Sequence, residues 1–165
     1  MSKITLKGNE INTYAPLPKV GDKAPDFRLI DKDLKEVSLK DFANKTLLIS
    51  IVPSLDTDVC AASAKKFNEQ ATQLKNTEIL VISKDLPFAQ KRFCELMKID
   101  HVHTLSDMRG TSFGKDWGVS ITDGPLEGLF ARAIIILDPN GKVIYTELVD
   151  EITKEPDYDQ ALLAL

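Results

Sequence analysis

Scarcity sets the first limits on this chain. It holds two cysteines, two histidines and one tryptophan in 165 residues. Two cysteines are too few for a disulfide framework. They would need both histidines to complete a four-ligand zinc site, so no metal is expected. Neither sign of charge dominates: 21 Lys and Arg stand against 25 Asp and Glu, a formal net charge of −4. The basic residues are scattered, whereas phosphate backbones demand clustered positive charge, so nucleic acid is not an expected partner. No apolar run near the front exceeds Leu47–Val52, far too short to cross a bilayer, so no membrane is expected either. The N-terminus has no signal-peptide run. The chain is therefore expected to be cytoplasmic, where thiols stay reduced and a disulfide is transient.

What is present is an ordinary globular composition. Hydrophobic residues make up 43% and charged residues 28%, which argues against disorder. The length suits one domain over residues 1–165, burying roughly 70% of the surface of the unfolded chain. No staple is then required, and the cysteines are free for packing or for redox chemistry.

The hydrophobic pattern changes character along the chain. Lys3 to Tyr14 alternates around Gly8-Asn9 and predicts a small β-hairpin. A loop with Pro16, Pro18, Gly21 and Pro25 follows. Phe27–Ile30 and Lys35–Leu39 predict a second strand pair turning at Asp31-Lys32-Asp33. Thr46–Val52 is a continuous apolar run, as a strand buried on both faces requires. Pro53 stops it. Cys60, Ala64, Phe67, Ala71 and Leu74 then recur at helical spacing and predict a helix over 58–74. Ile79–Ser83 predicts a second buried strand. Pro87 opens a helix over 88–98. A short strand over 102–106 and a short helix within 108–117 follow. Ala131–Leu137 predicts a third strong strand, and Asp138-Pro139-Asn140-Gly141 is a turn with suitable chemistry throughout. The chain returns over 142–149 and ends in a helix over 157–165. This order predicts an α/β thioredoxin-like fold with an N-terminal β-hairpin extension: a parallel pair covered by helices, then an antiparallel hairpin.

Ligands bind beyond the carboxyl ends of strands in an open α/β sheet. Cys60 falls there, in the first turn of the helix after Thr46–Val52. Helix N–H groups and the positive dipole end favour thiolate over thiol at that place. Thr57 lies three residues earlier, where its hydroxyl can cap the helix or donate to an oxygen approaching the sulfur. Pro53 limits water access from one side. Cys60 also opens the apolar stripe, and a buried cysteine often only packs; its place at the helix start tilts the reading towards reactivity. By spacing alone, Cys94 reads as a packed thiol and Arg132 as a side chain snorkelling at a strand end. Arg132 is nevertheless the only charge in 129–137. His101 and His103 read as surface or loop residues. Phe113 and Trp117 read as core or interface. The loop 121–128 reads as a border to the pocket or a subunit contact. Leu55, Phe88, Ile121, Leu126 and Leu129 would suit an apolar hydroperoxide if they surround the site.

Pro53, Thr57 and Cys60 spell Pro-x-x-x-Thr-x-x-Cys. The chain resembles the thiol peroxidase subclass of the peroxiredoxins, an atypical two-cysteine group. The likeness extends through Val20–Phe27, Phe67–Gln70, Ser83–Phe88, Leu105–Asp107, Gly128–Ala133 and Val149–Ile152. It implies reduction of hydrogen peroxide and organic hydroperoxides, with Cys60 as the peroxidatic cysteine passing through a sulfenic acid. It implies Arg132 as the guanidinium that stabilises the thiolate and the leaving oxygen. Pro53 and Thr57 would complete the catalytic and substrate-binding set. It implies Cys94 as the resolving cysteine in an intramolecular Cys60–Cys94 disulfide. Lys65 stands where a same-helix resolver would be, and no C-terminal cysteine exists, which agrees with that assignment. The resemblance also implies thioredoxin as reductant, no cofactor, and a homodimer with the loop before Cys60 near the interface. The alternative is a redox sensor or relay that passes its disulfide to a partner protein.

Overall fold

The computed structural model describes residues 1–165. The strands are β1 (Lys3–Leu6), β2 (Asn9–Asn12), β3 (Leu29–Asp31), β4 (Glu36–Val37), β5 (Thr46–Ile51), β6 (Thr77–Ser83), β7 (His103–Ser106), β8 (Ala133–Leu137) and β9 (Val143–Leu148). The helices are α1 (Asp58–Ala71), α2 (Pro87–Met97), α3 (Phe113–Asp116) and α4 (Tyr158–Leu163). β1 and β2 form their own hairpin, and the other seven strands form one sheet in the order β4-β3-β7-β6-β5-β8-β9.

β5 lies at the middle of this sheet, parallel to β6 and antiparallel to β8. With a neighbour on each side and cover on both faces, it can be apolar throughout, as its sequence is. Its side chains alternate between two cores. Leu47, Ile49 and Ile51 join Phe27, Phe113, Trp117 and Phe130 on one face. Leu48 meets Phe67 of α1 and Ala161 of α4 on the other. Beyond the end of β5, Val52 packs with Cys60, Cys94 and Val81. The thioredoxin-like α/β order read from the sequence is therefore present, with the N-terminal hairpin attached. Phe113 and Trp117 are core residues, their rings stacked with centroids 5.3 Å apart. No helix is long and apolar enough to cross a membrane.

The differences lie at boundaries. The first hairpin turns at Lys7-Gly8 rather than Gly8-Asn9, and both turn residues take positive φ. The second pair turns through residues 32–35, where Leu34 also has positive φ and the Asp31 carboxylate accepts from Asp33 and Lys35 N–H. α1 stops at Ala71, short of Leu74, although Leu74 still packs on the same core. β8 begins at Ala133 rather than Ala131, because the Ala131 N–H pairs with Val119 in a separate crossing. A 3₁₀ turn over Leu39–Phe42 went unpredicted. Its signal was available: Asp41 accepts from the Ser38 N–H at 2.8 Å, the Ser-x-x-Asp capping pattern.

The hairpin is tied to the segment after β9. Thr5 N–H donates to Asp150 O at 2.7 Å, and Ile152 N–H donates to Thr5 O at 2.9 Å. Ile4 and Ile11 bury against Ile152, Ile121 and Ala131.

Candidate active site

Strand directions assemble the site. β8 runs antiparallel to β5, so Ala133 at its start pairs with Ile51 at the end of β5. The residue before β8 thus lies beside the loop after β5, which puts Arg132 next to Cys60.

Cys60 is fully buried in the first turn of α1. Thr57 is the N-cap residue: its Oγ1 accepts from the Cys60 N–H at 3.3 Å and donates to Ser54 O at 3.1 Å. Of the two roles open to this hydroxyl, the structure has the cap, and its proton is engaged by Ser54. Arg132 is 3% exposed, so it does not snorkel. Its Nη1 lies 2.8 Å from Cys60 Sγ, while Nε and Nη2 donate to Ile152 O at 3.0 and 2.8 Å. None of the ion pairs in the molecule includes it. The guanidinium keeps its charge at any ordinary pH. A buried cation without a carboxylate finds its best counterpart in a thiolate, through a charge-assisted hydrogen bond. The helix N-terminus acts in the same sense.

The loop carrying Pro53 and Thr57 is held by a residue that sequence reasoning missed. Asp85, just beyond β6, accepts from Ser54 Oγ at 2.7 Å, Leu55 N–H at 2.8 Å and Ser83 Oγ at 2.7 Å. Gln90 of α2 donates to Ser83 Oγ at 3.1 Å and to Leu105 O at 2.9 Å, extending the network to β7. The sequence hints were Ser83 at the strand end with Asp85 two residues on, and the place of both in the family-like block Ser83–Phe88. Their reach to Ser54 is a matter of tertiary structure. Tyr158 of α4 packs against Phe67, and its hydroxyl lies 2.8 Å from Ser63 Oγ, one helical turn beyond Cys60. Burial, reinforced by Glu155, pushes the Tyr158 phenol up to about 12, so it stays neutral.

Beside the loop runs an open groove of about 680 Å³. Leu55, Phe88, Phe93 and Leu96 belong to its apolar wall, and its polar members are Thr57, Arg92 and the carboxylates of Asp56, Asp58 and Asp85. The Cys60 sulfur lies beneath this surface rather than on it. Leu55 and Phe88 therefore border the site as expected. Ile121 and Leu126 do not: they pack under the N-terminal hairpin, and Leu129 is absent from the groove. From the loop 121–128, Ile121 and Leu126 contribute to that hairpin core.

Cys94 sits in α2, 7% exposed, in the same apolar cluster as Cys60. Both thiols are free. The neighbour of Cys94 is Thr104 Oγ1, at 4.0 Å. Burial pushes its thiol up, only partly offset by Thr104. It borders a separate hollow of about 270 Å³ whose charged lining is mixed: Lys32, Lys91 and Lys98 with Glu95 and Asp100. His101 and His103 are exposed and pair with Asp100 and Glu78. No group of three or more His, Cys, Asp or Glu side chains is placed to hold a metal.

Residues 19–162 match the Redoxin family. The chain is 53% identical to a thiol peroxidase of Corynebacterium glutamicum, over 100% of this chain and 99% of that protein. It is 50% identical to a thiol peroxidase of Leptospira interrogans, over 99% of this chain and 97% of that protein. The crystal structure of a peroxiredoxin-like protein from Aquifex aeolicus superposes with a TM-score of 0.92 at 43% identity, covering 100% of this chain and 98% of that chain.

Proposed function

The chain belongs to the Redoxin family and is a thiol peroxidase, and from that premise we propose that its catalytic cycle runs through Cys60 and Cys94. The observation that carries this reading is the Arg132 fork, one N–H on the Cys60 sulfur and two on a backbone carbonyl. The Cys60 thiolate attacks the distal oxygen of a hydroperoxide. The O–O bond breaks, Cys60 becomes a sulfenic acid, and the departing oxygen leaves as water or alcohol after taking up a proton. Arg132 supplies positive charge where negative charge develops on the leaving oxygen. Thr57 orders the helix start, and Pro53 closes one side of the loop.

Cys94 then attacks the sulfenic sulfur, releasing water and forming the Cys60–Cys94 disulfide. A thioredoxin-type dithiol returns both thiols and takes the disulfide itself. Both sulfurs lie within helices, one in a first turn and one in mid-helix. A disulfide needs Cα atoms about 4.4–6.8 Å apart, so both segments unwind as the bond forms. The whole of 1–165 acts as one domain in the cytoplasm. It acts as a homodimer, in support of which Phe88 and Leu96 stand 66% and 70% exposed beside the loop before Cys60.

Peroxide consumption coupled to thioredoxin tests this cycle. Cys60→Ser is expected to abolish turnover. Cys94→Ser is expected to retain one round of sulfenic acid formation and lose cycling, and hydrogen exchange should rise in both helical segments of the disulfide form. Full turnover by Cys60→Ser would sink the reading.

A further inference from the structure

The carbonyl that holds Arg132 has to be held in turn. Ile152 lies in the turn after β9, and a turn of this type is soft unless its own backbone is anchored. Two anchors are present. Ile152 N–H donates to Thr5 O of β1 at 2.9 Å, so one side of this residue is fixed by the hairpin while its carbonyl fixes the guanidinium. The second anchor is the carboxylate of Glu151. One oxygen, Oε2, accepts from Thr153 N–H at 2.9 Å and Thr153 Oγ1 at 2.7 Å, closing the turn. The other, Oε1, accepts from Gly8 N–H at 2.9 Å and lies 3.2 Å from Thr5 Oγ1, reaching the hairpin. These donors hold the Glu151 carboxyl down to about 2, the Thr153 N–H contributing most. The carboxylate thus clasps turn and hairpin together around the residue whose carbonyl orients Arg132.

We propose that Glu151 is a positioning residue for the peroxidase reaction, clamping the N-terminal hairpin to the 150–153 turn so that the Ile152 carbonyl aims Arg132 at Cys60. The hairpin is then part of the catalytic apparatus although none of its side chains reaches the sulfur. The inference rests on the reading of Cys60 and Arg132 given above. Its chemistry is specific to a carboxylate. Both oxygens accept from donors, so glutamine at this position sets an NH₂ against one pair of them and retains the other. A one-ångström misplacement of a catalytic group costs up to about a hundredfold in rate.

The test measures Cys60 sulfenic acid formation in single turnover, using the full chain in a Cys94→Ser background, with the thiolate followed by its ultraviolet absorbance across pH. Glu151→Ala should slow the step about tenfold and shift the thiolate titration upwards while circular dichroism stays unchanged, the scale of a misaimed charge. Glu151→Gln should fall between. Combined with Arg132→Met, Glu151→Ala should slow the reaction no further, because it acts through a group already removed. The same factor appearing again in that double variant would overturn the proposal, as would wild-type rate and titration in Glu151→Ala. If Glu151→Ala proves too unstable, Glu151→Gln and the exposed Thr153→Val carry the test, and wild-type behaviour in both overturns it. Peroxide consumption by Cys60→Ser would instead reject the underlying reading, so the two failures are distinguishable.

Discussion

Cys60 and Cys94 share one apolar cluster, and both are nearly sealed from solvent. By residue type and burial they are alike. Their polar surroundings are opposite. Cys60 sits in a capped helix start with a guanidinium N–H at 2.8 Å. Cys94 sits in mid-helix with a hydroxyl at 4.0 Å, and burial favours its neutral form. Burial alone makes a thiol inert. A fixed cation and a helix terminus are what make Cys60 different, and that division suits a nucleophile paired with a thiol that must wait its turn.

The largest break in this contrast should come from Arg132→Met, which keeps much of the buried volume and removes the charge. The second-order rate of Cys60 with hydrogen peroxide is expected to fall by roughly 10²–10³, the scale for losing one preorganised donor. An unchanged rate in stopped-flow measurement would mean that the helix terminus alone separates the two thiols. Asp85→Ala comes next, since it frees Ser54, Leu55 and Ser83 at once. A loss of about 1–3 kcal/mol in urea unfolding is expected from the orphaned donors, with slower Cys60 oxidation. Wild-type stability would show that the Cys60 loop needs no tie to β6.

The smallest effect sharpens the other side of the comparison. In Cys60→Ser, alkylation of Cys94 should have its pH midpoint above that of the unfolded chain, because burial raises the folded thiol. The sign follows directly. A raised folded value contributes stability below the unfolded value, and that stability is lost as pH climbs through the folded one. Equal midpoints in folded and unfolded chains would remove the electrostatic distinction at Cys94.

The core of the fold was legible because Thr46–Val52, Ile79–Ser83 and Ala133–Leu137 are largely apolar runs of strand length, rich in β-branched residues and bounded by turn signals. Cys60 and Thr57 were legible because a helix start is a local feature. Arg132 stood out as a lone charge, but its partner did not: a separation of 72 residues leaves no local trace of the bond to Cys60. Asp85 and Glu151 fall within the family-like blocks Ser83–Phe88 and Val149–Ile152, yet their roles depend on loops meeting in space, which periodicity does not encode. Ile121 and Leu126 were misplaced for the same reason. Nothing in their own segment reveals that the N-terminal hairpin covers them.

The antiparallel pairing of β8 against β5 also bears on how the protein is made. The ribosome delivers Cys60 first, and Arg132 follows only after 72 further residues. Until β8 slots beside β5, the nascent thiol lacks its cation and meets passing oxidants as an ordinary cysteine. On the proposed cycle, activation of Cys60 would thereby be coupled to completing the sheet, and a chain that stalls halfway would carry no activated sulfur to be damaged.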